Sequence, residues 1–431
     1  MTLLTLMILL LFVFVLLGMD IAFSVGAASL LYIVATQFGD RPINPVLFAQ
    51  ELTAGVDSFA LLAIPMFIFA GELMTKSGVT QRLIDLASSL VGHRPGGLAN
   101  TAITANLFMS GISGSGVADA AATGSVLVPE MKRRGYSSAY AAGVIAAAAS
   151  MGPIIPPSIM FILLGSIVNI SVGQLFVAGI VPGFIMYFAM LGTSMVMARK
   201  LNLPVEARVS GPERRRAIIA GILPLGAPVM IVMSKIFGIA TPTESAALVV
   251  LYTLVLGIFA YRSMTFRGFI ESATAAAMTS AVVMITVATS QVFGSLAVLA
   301  GLGQVLTQSM LAISHNPLVL LLLINVMLLV LGTIMEPLPL MLILAPILFP
   351  MLGGMGVDPI HFGVVMVLNL VLGMVTPPVG LTLFVMARIG NVGVMELFWA
   401  AWPFFLVLVA VLLLLTYVPW LSIGLVQLLM R

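Results

Sequence analysis

Cysteine is absent from the 431 residues of this chain, and histidine occurs only three times. The absence of cysteine excludes disulfide bonds, thiolate metal centres and thiol catalysis. His93, His315 and His361 lie far apart in the sequence, which argues against a metal site built from histidine. Charged residues make up only 8% of the chain. The basic ones fall in short clusters between apolar runs, so the sequence predicts no nucleic-acid binding.

Apolar residues dominate the composition instead. They make up 61% of the chain, and the mean hydropathy is +1.21. A soluble domain of this length has no interior large enough for so much apolar surface, so we predict an all-α polytopic membrane protein. The stretch from Met1 to Leu17 lacks the basic start and the small-residue cleavage site of a signal peptide, so we expect a retained transmembrane segment.

One apolar run, from about Ala139 to Val168, contains the proline-rich sequence Gly152–Ser158. An interior proline removes a backbone donor and clashes with the preceding turn, at roughly 3 kcal/mol or more. Three prolines in seven residues therefore predict a helix that breaks inside the membrane. Irregular backbone at that depth is tolerated only inside protein or along a polar cavity. A simple proline kink is the alternative.

A second segment of the same kind, Gly373–Gly380, argues for a break and for an internal repeat. Six glycine and proline identities share an offset of 221 residues: Gly111 with Gly332, Pro129 with Pro350, Gly135 with Gly356, Gly152 with Gly373, Pro156 with Pro377, and Pro157 with Pro378. Two Gly/Pro-interrupted apolar segments at corresponding places indicate the binding site of a secondary transporter.

The predicted domains follow from this repeat. Residues 1–200 and 217–431 form the two repeats, and residues 201–216 form a cytoplasmic connector that is rich in arginine. Each repeat contains a re-entrant helical hairpin, at about 98–132 and 317–352, and a broken helix, at about 138–168 and 361–388. The arms of the hairpins are too short to cross a bilayer, which requires about 20 helical residues for ~30 Å.

The other apolar runs predict further helices. We expect spans at Ile21–Thr36, Phe59–Met74, Leu175–Ala198, Ala217–Ile236, Pro242–Tyr261, Phe269–Val292 and, as the last one, Phe398–Val418. Gln81–Gly92 and Gly294–Leu311 are expected to lie along the membrane interface, and Gly39–Val56 to be a polar connection. Thr241–Glu244 has the pattern of a helix-capping box, which we favour over a substrate-binding role.

The distribution of basic residues predicts the orientation. If each hairpin returns to its own side, fifteen of the eighteen Lys and Arg residues share one face, which the positive-inside rule makes cytoplasmic. Only Arg41, Lys235 and Arg431 lie on the other face. The first hairpin then enters from the cytoplasm and the second from outside, so the repeats are inverted.

Hairpin tips and broken helices should meet near the midplane, where exposed carbonyls and hydroxyls can coordinate Na⁺ and helix N-termini attract an anion. The predicted Na⁺ ligands are Gly111, Ser113, Gly114, Ser115, Gly152 and Pro153 in the first repeat and Gly332, Thr333, Gly373 and Thr376 in the second. The predicted substrate contacts are Ser115, Asp119, Pro156, Ser158, Glu336, Pro377 and Pro378.

Several alternatives stay open at this point. Ser113–Gly116 also fits a tight turn without ligands, and Asp119 also fits a carboxylate that only satisfies a helix dipole. A proton carried by Asp119 or Glu336 is the rival of Na⁺ as coupling ion. Gly111–Gly114 matches a serine-protease pattern, but no histidine base lies in a predicted membrane segment. An aqueous channel is a further alternative.

Five motifs together resemble one known family along the whole chain. They are Ile64–Gly71, Ser113–Ala120, Gly152–Ser158, Thr241–Glu244 and Thr376–Gly380. They look like the large membrane subunit of tripartite ATP-independent periplasmic (TRAP) transporters.

This resemblance implies an elevator-type fold in the bacterial inner membrane, without enzymatic activity. It implies Na⁺-coupled uptake of a small organic acid, such as a C4-dicarboxylate, sialic acid or a sugar acid. It also implies two partners: a periplasmic substrate-binding protein and a small membrane subunit of about four helices, expected as a separate chain. We expect Arg41, as one of the few outward cations, to contact the binding protein.

Overall fold

The structure, a computed structural model, describes residues 2–39, 42–205 and 209–430. Arg41, Arg208 and Arg431, which entered the predictions of orientation and of partner contact, lie outside the described residues. The described residues form helices and no strands. The helices of the first part are α1 Thr2–Leu16, α2 Ile21–Thr36, α3 Val46–Ala54, α4 Ala63–Lys76, α5 Val79–Val91, α6 Gly97–Ser113, α7 Gly116–Arg133, α8 Ser138–Ala148, α9 Ile159–Ile167 and α10 Val172–Lys200.

The second part continues the all-α architecture. Its helices are α11 Gly211–Ile222, α12 Gly226–Ile236, α13 Pro242–Val255, α14 Phe266–Leu299, α15 Leu302–Ile313, α16 Pro317–Gly332, α17 Pro337–Gly353, α18 Pro359–Gly373, α19 Leu381–Gly390, α20 Val394–Tyr417 and α21 Trp420–Leu429. Among the described residues, five helical segments are long and apolar enough to span a membrane, or six if the bent pair α11–α12 counts as one.

Helical hairpins occur at both predicted places. The chain turns between α6 and α7 at Gly114-Ser115, and between α16 and α17 at residues 333–336. The arms of each hairpin pack against each other. How these hairpins are oriented in a bilayer, and thus the inversion of the repeats, stays a prediction.

Both proline-rich segments interrupt their helices, as predicted. After α8 a short 3₁₀ turn, Ala149–Met151, leads into an irregular stretch, and helix resumes only at Ile159. In the second half α18 ends at Gly373 and α19 begins at Leu381. The long helix halves α8 and α18 are buried along almost their whole lengths. The irregular backbone of the first break lies inside protein, whereas residues 376–379 of the second are half-buried or exposed. Neither helix continues through its proline-rich segment, so the simple proline kink is excluded.

Four expectations about the remaining helices were wrong or incomplete. Ala217–Ile236 is not one straight span, because α11 and α12 meet at an angle of 45°. Gly294–Leu299 belongs to α14 and not to a separate interfacial helix. The connection before Asp57 contains α3, and α21 follows the helix that was expected to be last. Short amphipathic or apolar helices of this kind carry too weak a sequence period to be separated from loops or from neighbouring spans.

Candidate functional site

Asp119 lies at the centre of a polar cluster in the first hairpin. It stands in the first turn of α7 and is fully buried. The hydroxyl of Ser113 donates to Asp119 Oδ1 at 2.5 Å, and that of Ser110 to Oδ2 at 3.4 Å. The backbone N–H of Ser115 donates to Ser113 Oγ at 3.1 Å. Asp119 therefore holds the tip of the hairpin through two side-chain hydrogen bonds, in addition to any interaction of its charge with the dipole of α7.

The first hairpin tip packs directly on the first helix break. A Cβ at Gly152 would lie 2.7 Å from the backbone nitrogen of Gly116 and 3.0 Å from Asp119 Oδ2. Since real Cβ atoms do not approach other atoms so closely, the contact requires glycine at position 152. Gly114 adopts a φ of +63° at the tip and faces the carbonyl of Pro157. The predicted ligand residues of the first repeat thus come together around the tip and the break.

The second tip also packs on the second break. A Cβ at Gly373 would lie 2.8 Å from Gly332 Cα, and the N–H of Val379 donates to the carbonyl of Thr333 at 3.0 Å. The hydroxyl of Thr376, in the break, donates to the carbonyl of Leu372 in the last turn of α18 at 2.7 Å, which leaves its oxygen lone pairs for an acceptor role. The residues predicted as the second ligand set are therefore also neighbours.

Buried side-chain hydrogen bonds hold the arms that carry these tips. In the first half Asn106 of α6 donates to Thr123 of α7 at 3.1 Å. In the second half Asn369 of α18 donates to Asn325 Oδ1 of α16 at 2.9 Å, and Asn325 donates to Thr416 of α20 at 2.8 Å. Because each bond joins different helices away from water, it fixes the position of one arm against its neighbour.

A cavity of about 480 Å³ opens between the two tips. Ser113, Gly114, Ser115 and Asp119 line it from the first hairpin, and Glu336 and Pro337 from the second. Helices α4 and α14, which pack against each other, close it on another side with Glu72, Thr75 and Thr279. Its lining also includes Pro153, next to the first break, and residues at the beginnings of α9 and α19.

The predicted substrate contacts divide into two groups. Ser115, Asp119 and Glu336 line the cavity. Pro156, Ser158, Pro377 and Pro378 do not line it. The Ser158 hydroxyl donates to the carbonyl of Pro153 at 2.5 Å and accepts from the N–H of Phe161, so Ser158 caps α9. Both Pro-Pro bonds of these segments are cis.

Glu72 is a charged cavity residue that the sequence did not predict, as are the polar residues Thr75 and Thr279. It is half-buried on α4, one residue after the motif Ile64–Gly71. The sequence contains a signal for Glu72, because an acidic residue inside an apolar span is a functional candidate by default. Because α4 is apolar on several faces, the sequence does not show whether Glu72 points toward a cavity.

The serine-protease alternative finds no base at this site. The hydroxyl of Ser113 donates to Asp119, and no histidine lines the cavity. His361 is buried elsewhere, where its Nδ1 lies 2.8 Å from Ser422 Oγ. Among the described residues, no group of three His, Asp or Glu side chains is arranged to hold a transition metal.

The chain matches known transport proteins over almost its whole length. A family model described as the tripartite ATP-independent periplasmic transporter, DctM component, matches residues 8–421. The sialic acid TRAP transporter large permease protein SiaM of Vibrio cholerae is 40% identical, over 87% of this chain and 87% of that protein. The C4-dicarboxylate TRAP transporter large permease protein DctM of Rhodobacter capsulatus is 36% identical, over 96% of each chain.

The fold also resembles a solved structure. The crystal structure of the YdaH transporter of Alcanivorax borkumensis, reported to have an unusual topology, superposes with a TM-score of 0.61 at 17% identity. The match covers 88% of each chain. At this identity the likeness concerns the fold alone, and it supports the all-α architecture.

Proposed function

Because the chain belongs to the DctM-component family of tripartite ATP-independent periplasmic transporters, we propose that it couples the import of a small organic acid to Na⁺. A periplasmic binding protein delivers the acid, and a small membrane subunit completes the permease in the bacterial inner membrane. The relatives named above carry sialic acid or C4-dicarboxylates, which are both organic acids. The observation that carries the proposal is the pairing of each hairpin tip with a helix break beside one cavity.

The donor set at the tips suits a hard monovalent cation. Backbone carbonyls and hydroxyl oxygens are the ligands that such cations prefer, and the unwound segments offer both. In the first half Ser113 and Gly152 would contribute, with the charge of Asp119 close by. In the second half Thr333 and Thr376 would contribute.

An elevator motion fits the arrangement of the helices. The hairpins and broken helices, α6–α9 and α16–α19, would form the moving module, and α4 and α14 belong to the scaffold beside it. Na⁺ and the acid bind between the tips, and the loaded module crosses the membrane as a body. Na⁺ offsets the negative charge of the acid, so loading one of each leaves the net charge of the site unchanged.

The first test is the thermal stability of the purified permease in NaCl, KCl and choline chloride at equal ionic strength. A ligand that binds only the folded state stabilises it by RT ln(1 + [L]/Kd), about 2.7 kcal/mol at 100 times Kd. We expect stabilisation by Na⁺ alone, and its reduction in Ser113→Ala and in Thr376→Ala. Ser125→Ala and Thr274→Ala, which remove exposed hydroxyls bonded within their own helices, serve as controls.

Proton coupling is the second candidate. It is favoured by the complete burial of Asp119 and the half-burial of Glu336 at the cavity. Two results together would identify the proton, and not Na⁺, as the coupling ion. The protein would be equally stable in all three salts, and its stability would depend on pH in a way that Asp119→Asn or Glu336→Gln removes. Sodium dependence that stays intact in both hydroxyl variants would contradict the assignment of the ion sites.

A further inference from the structure

A second cavity, of about 780 Å³, lies between α19 and α20. Its walls are α19 from Phe384 onward, the connection at residues 391–393 and the first turn of α20. Among the described residues, Val385 alone lines both this cavity and the one between the hairpin tips. The proposed binding of Na⁺ and of the acid therefore leaves this second cavity without a role.

Arg388 and Glu396 bring opposite charges to this cavity without pairing with each other. Both are exposed, and within the described part of the chain neither side chain has a hydrogen bond or an ion pair. The charges of another pocket, between α5 and α11, are already satisfied: Arg82 donates to two backbone carbonyls, and Glu213 accepts from Ser210. The cavity between α19 and α20 thus offers a free guanidinium for an anion and a free carboxylate for a cation.

This cavity lies at a boundary of the membrane. Helix α20 is long and apolar enough to span a bilayer, and Glu396 stands in its first turn. One turn further, Trp399 is 60% exposed and packs on Trp402, with ring centroids 5.7 Å apart. Tryptophan is enriched at the level of the lipid headgroups. Phe384, on the α19 wall, is 48% exposed, so apolar surface lies beside the two charges.

From this arrangement we propose that the cavity binds the headgroup of phosphatidylethanolamine, a zwitterionic phospholipid with a primary ammonium group. Arg388 binds the phosphate, for which the planar set of guanidinium donors is suited. Glu396 accepts from the ammonium, which is joined to the phosphate through two carbon atoms. The apolar surface at Phe384 and the level of Trp399 favour a lipid over a soluble zwitterion.

Two other phospholipids match only part of this site. Phosphatidylcholine carries a quaternary ammonium without N–H donors, so it cannot donate to Glu396. Phosphatidylglycerol has no cation, so its phosphate can bind Arg388 while Glu396 stays unpaired. The site therefore predicts a preference among headgroups that all contain the same phosphate.

Native mass spectrometry of the purified permease tests this preference. The three phospholipids, with identical acyl chains, are added in turn to the protein in detergent. Because exposed ion pairs contribute little each, we expect the first phosphatidylethanolamine to bind at concentrations only about fivefold lower than either other lipid. The soluble headgroup glycerophosphoethanolamine, which has no acyl chains, should not displace the lipid at equal concentration.

Substitution of the two charged residues should give two different patterns. Glu396→Gln should weaken the binding of phosphatidylethanolamine roughly threefold and leave that of phosphatidylcholine unchanged. Arg388→Gln should weaken the binding of all three lipids, because each contains the phosphate. Both side chains are exposed, so the melting temperature without added lipid should stay close to that of the native protein.

Glu130→Gln is the matched control, because it removes a carboxylate of α7 that is paired with Arg133 and Arg134 outside this cavity. It should change the affinity for none of the lipids. The proposal is overturned if phosphatidylcholine or phosphatidylglycerol binds as tightly as phosphatidylethanolamine, or if the soluble headgroup displaces the lipid.

Direct pairing of Arg388 with Glu396 in solution predicts the opposite effect of one variant. Glu396→Gln would then free Arg388 and raise the affinity for all three lipids, which contradicts the proposal. An equal loss of phosphatidylethanolamine and phosphatidylcholine in Glu396→Gln contradicts it as well. None of these measurements involves Na⁺ or an acid, so their outcome leaves the proposed function untouched.

Discussion

Single glycines decide how closely each hairpin tip approaches its helix break. Gly152 faces Gly116 and Asp119, and Gly373 faces Gly332, with no room for a side chain in either place. These two glycines are separated by the 221 residues of the repeat offset. In both halves the glycine of the break packs on the hairpin, on Gly116 at the start of α7 in the first half and on Gly332 at the end of α16 in the second.

Gly373→Ala should disturb the second ion site and spare the rest of the fold. The new methyl group would press on Gly332, and overpacking of this kind typically costs about 1–3 kcal/mol. We expect a smaller Na⁺-dependent rise in melting temperature, measured in NaCl against KCl. Gly353→Ala is the matched control, because a Cβ there meets no atom within 4 Å. An undiminished response to Na⁺ in Gly373→Ala would contradict the placement of this site.

Among the elements, α13 shows how a motif that stands out in the sequence can have a structural role. Thr241 accepts from the N–H of Glu244 at 3.3 Å, and Glu244 accepts from the N–H of Thr241 at 2.6 Å. This is the reciprocal capping box that the sequence predicts, with Pro242 at the first helical position. Neither Thr241 nor Glu244 lines the cavity between the tips.

Thr241→Ala should therefore lower stability and leave the binding of Na⁺ and of the substrate unchanged. Loss of an N-cap typically costs about 1 kcal/mol. The unfolding midpoint should fall equally in NaCl and KCl, and Thr241→Ser should restore it, since serine caps a helix as well as threonine does. A change in the apparent affinity for Na⁺ would revive a binding role for this segment.

The broken helices are elements whose positions follow from backbone chemistry. Each break contains a Pro-Pro pair, and neither stretch forms a regular helix. Both breaks contact hairpin tips, and the first break is buried in protein, whereas residues 376–379 of the second break are half-buried or exposed. Contact with protein supplies the polar partners that lipid cannot offer to unsatisfied carbonyls.

At the scale of the whole molecule, a polar contact connects the proposed moving module to the scaffold that contains α4. It joins Ser58, which precedes α4, to Ser166 of α9, with 2.8 Å between the two hydroxyl oxygens. Ser58 lies on the scaffold side and Ser166 on the first broken helix. An elevator motion requires this contact to break during each cycle.

The absence of native cysteine makes that requirement testable. The pair Ser58→Cys and Ser166→Cys places two thiols close enough for a disulfide, for which Cβ atoms lie about 3.5–4.5 Å apart. We expect oxidation to abolish Na⁺-driven uptake in proteoliposomes that also contain the small subunit and the binding protein. Reduction should restore uptake, and either single variant should be insensitive to oxidant. Full uptake by the cross-linked protein would exclude movement between these two parts.

The sequence by itself determined the class of protein, the two breaks and the residues at the tips. These features have local causes, because apolar run length, proline chemistry and glycine spacing act on neighbouring residues. The resemblance through five short motifs pointed to the family that the comparisons confirm. The inversion of the repeats and the identity of the coupling ion stay predictions.

Only the tertiary structure decided which side chains share the cavity. It brings Glu72 of α4 to Asp119 and Glu336 of the hairpins, and it leaves Pro156, Ser158, Pro377 and Pro378 outside the lining. It also decided the bend between α11 and α12 and the extension of α14 to Leu299. These outcomes depend on how one helix is rotated and packed against another, and in a chain that is 61% hydrophobic the apolar pattern does not specify that rotation.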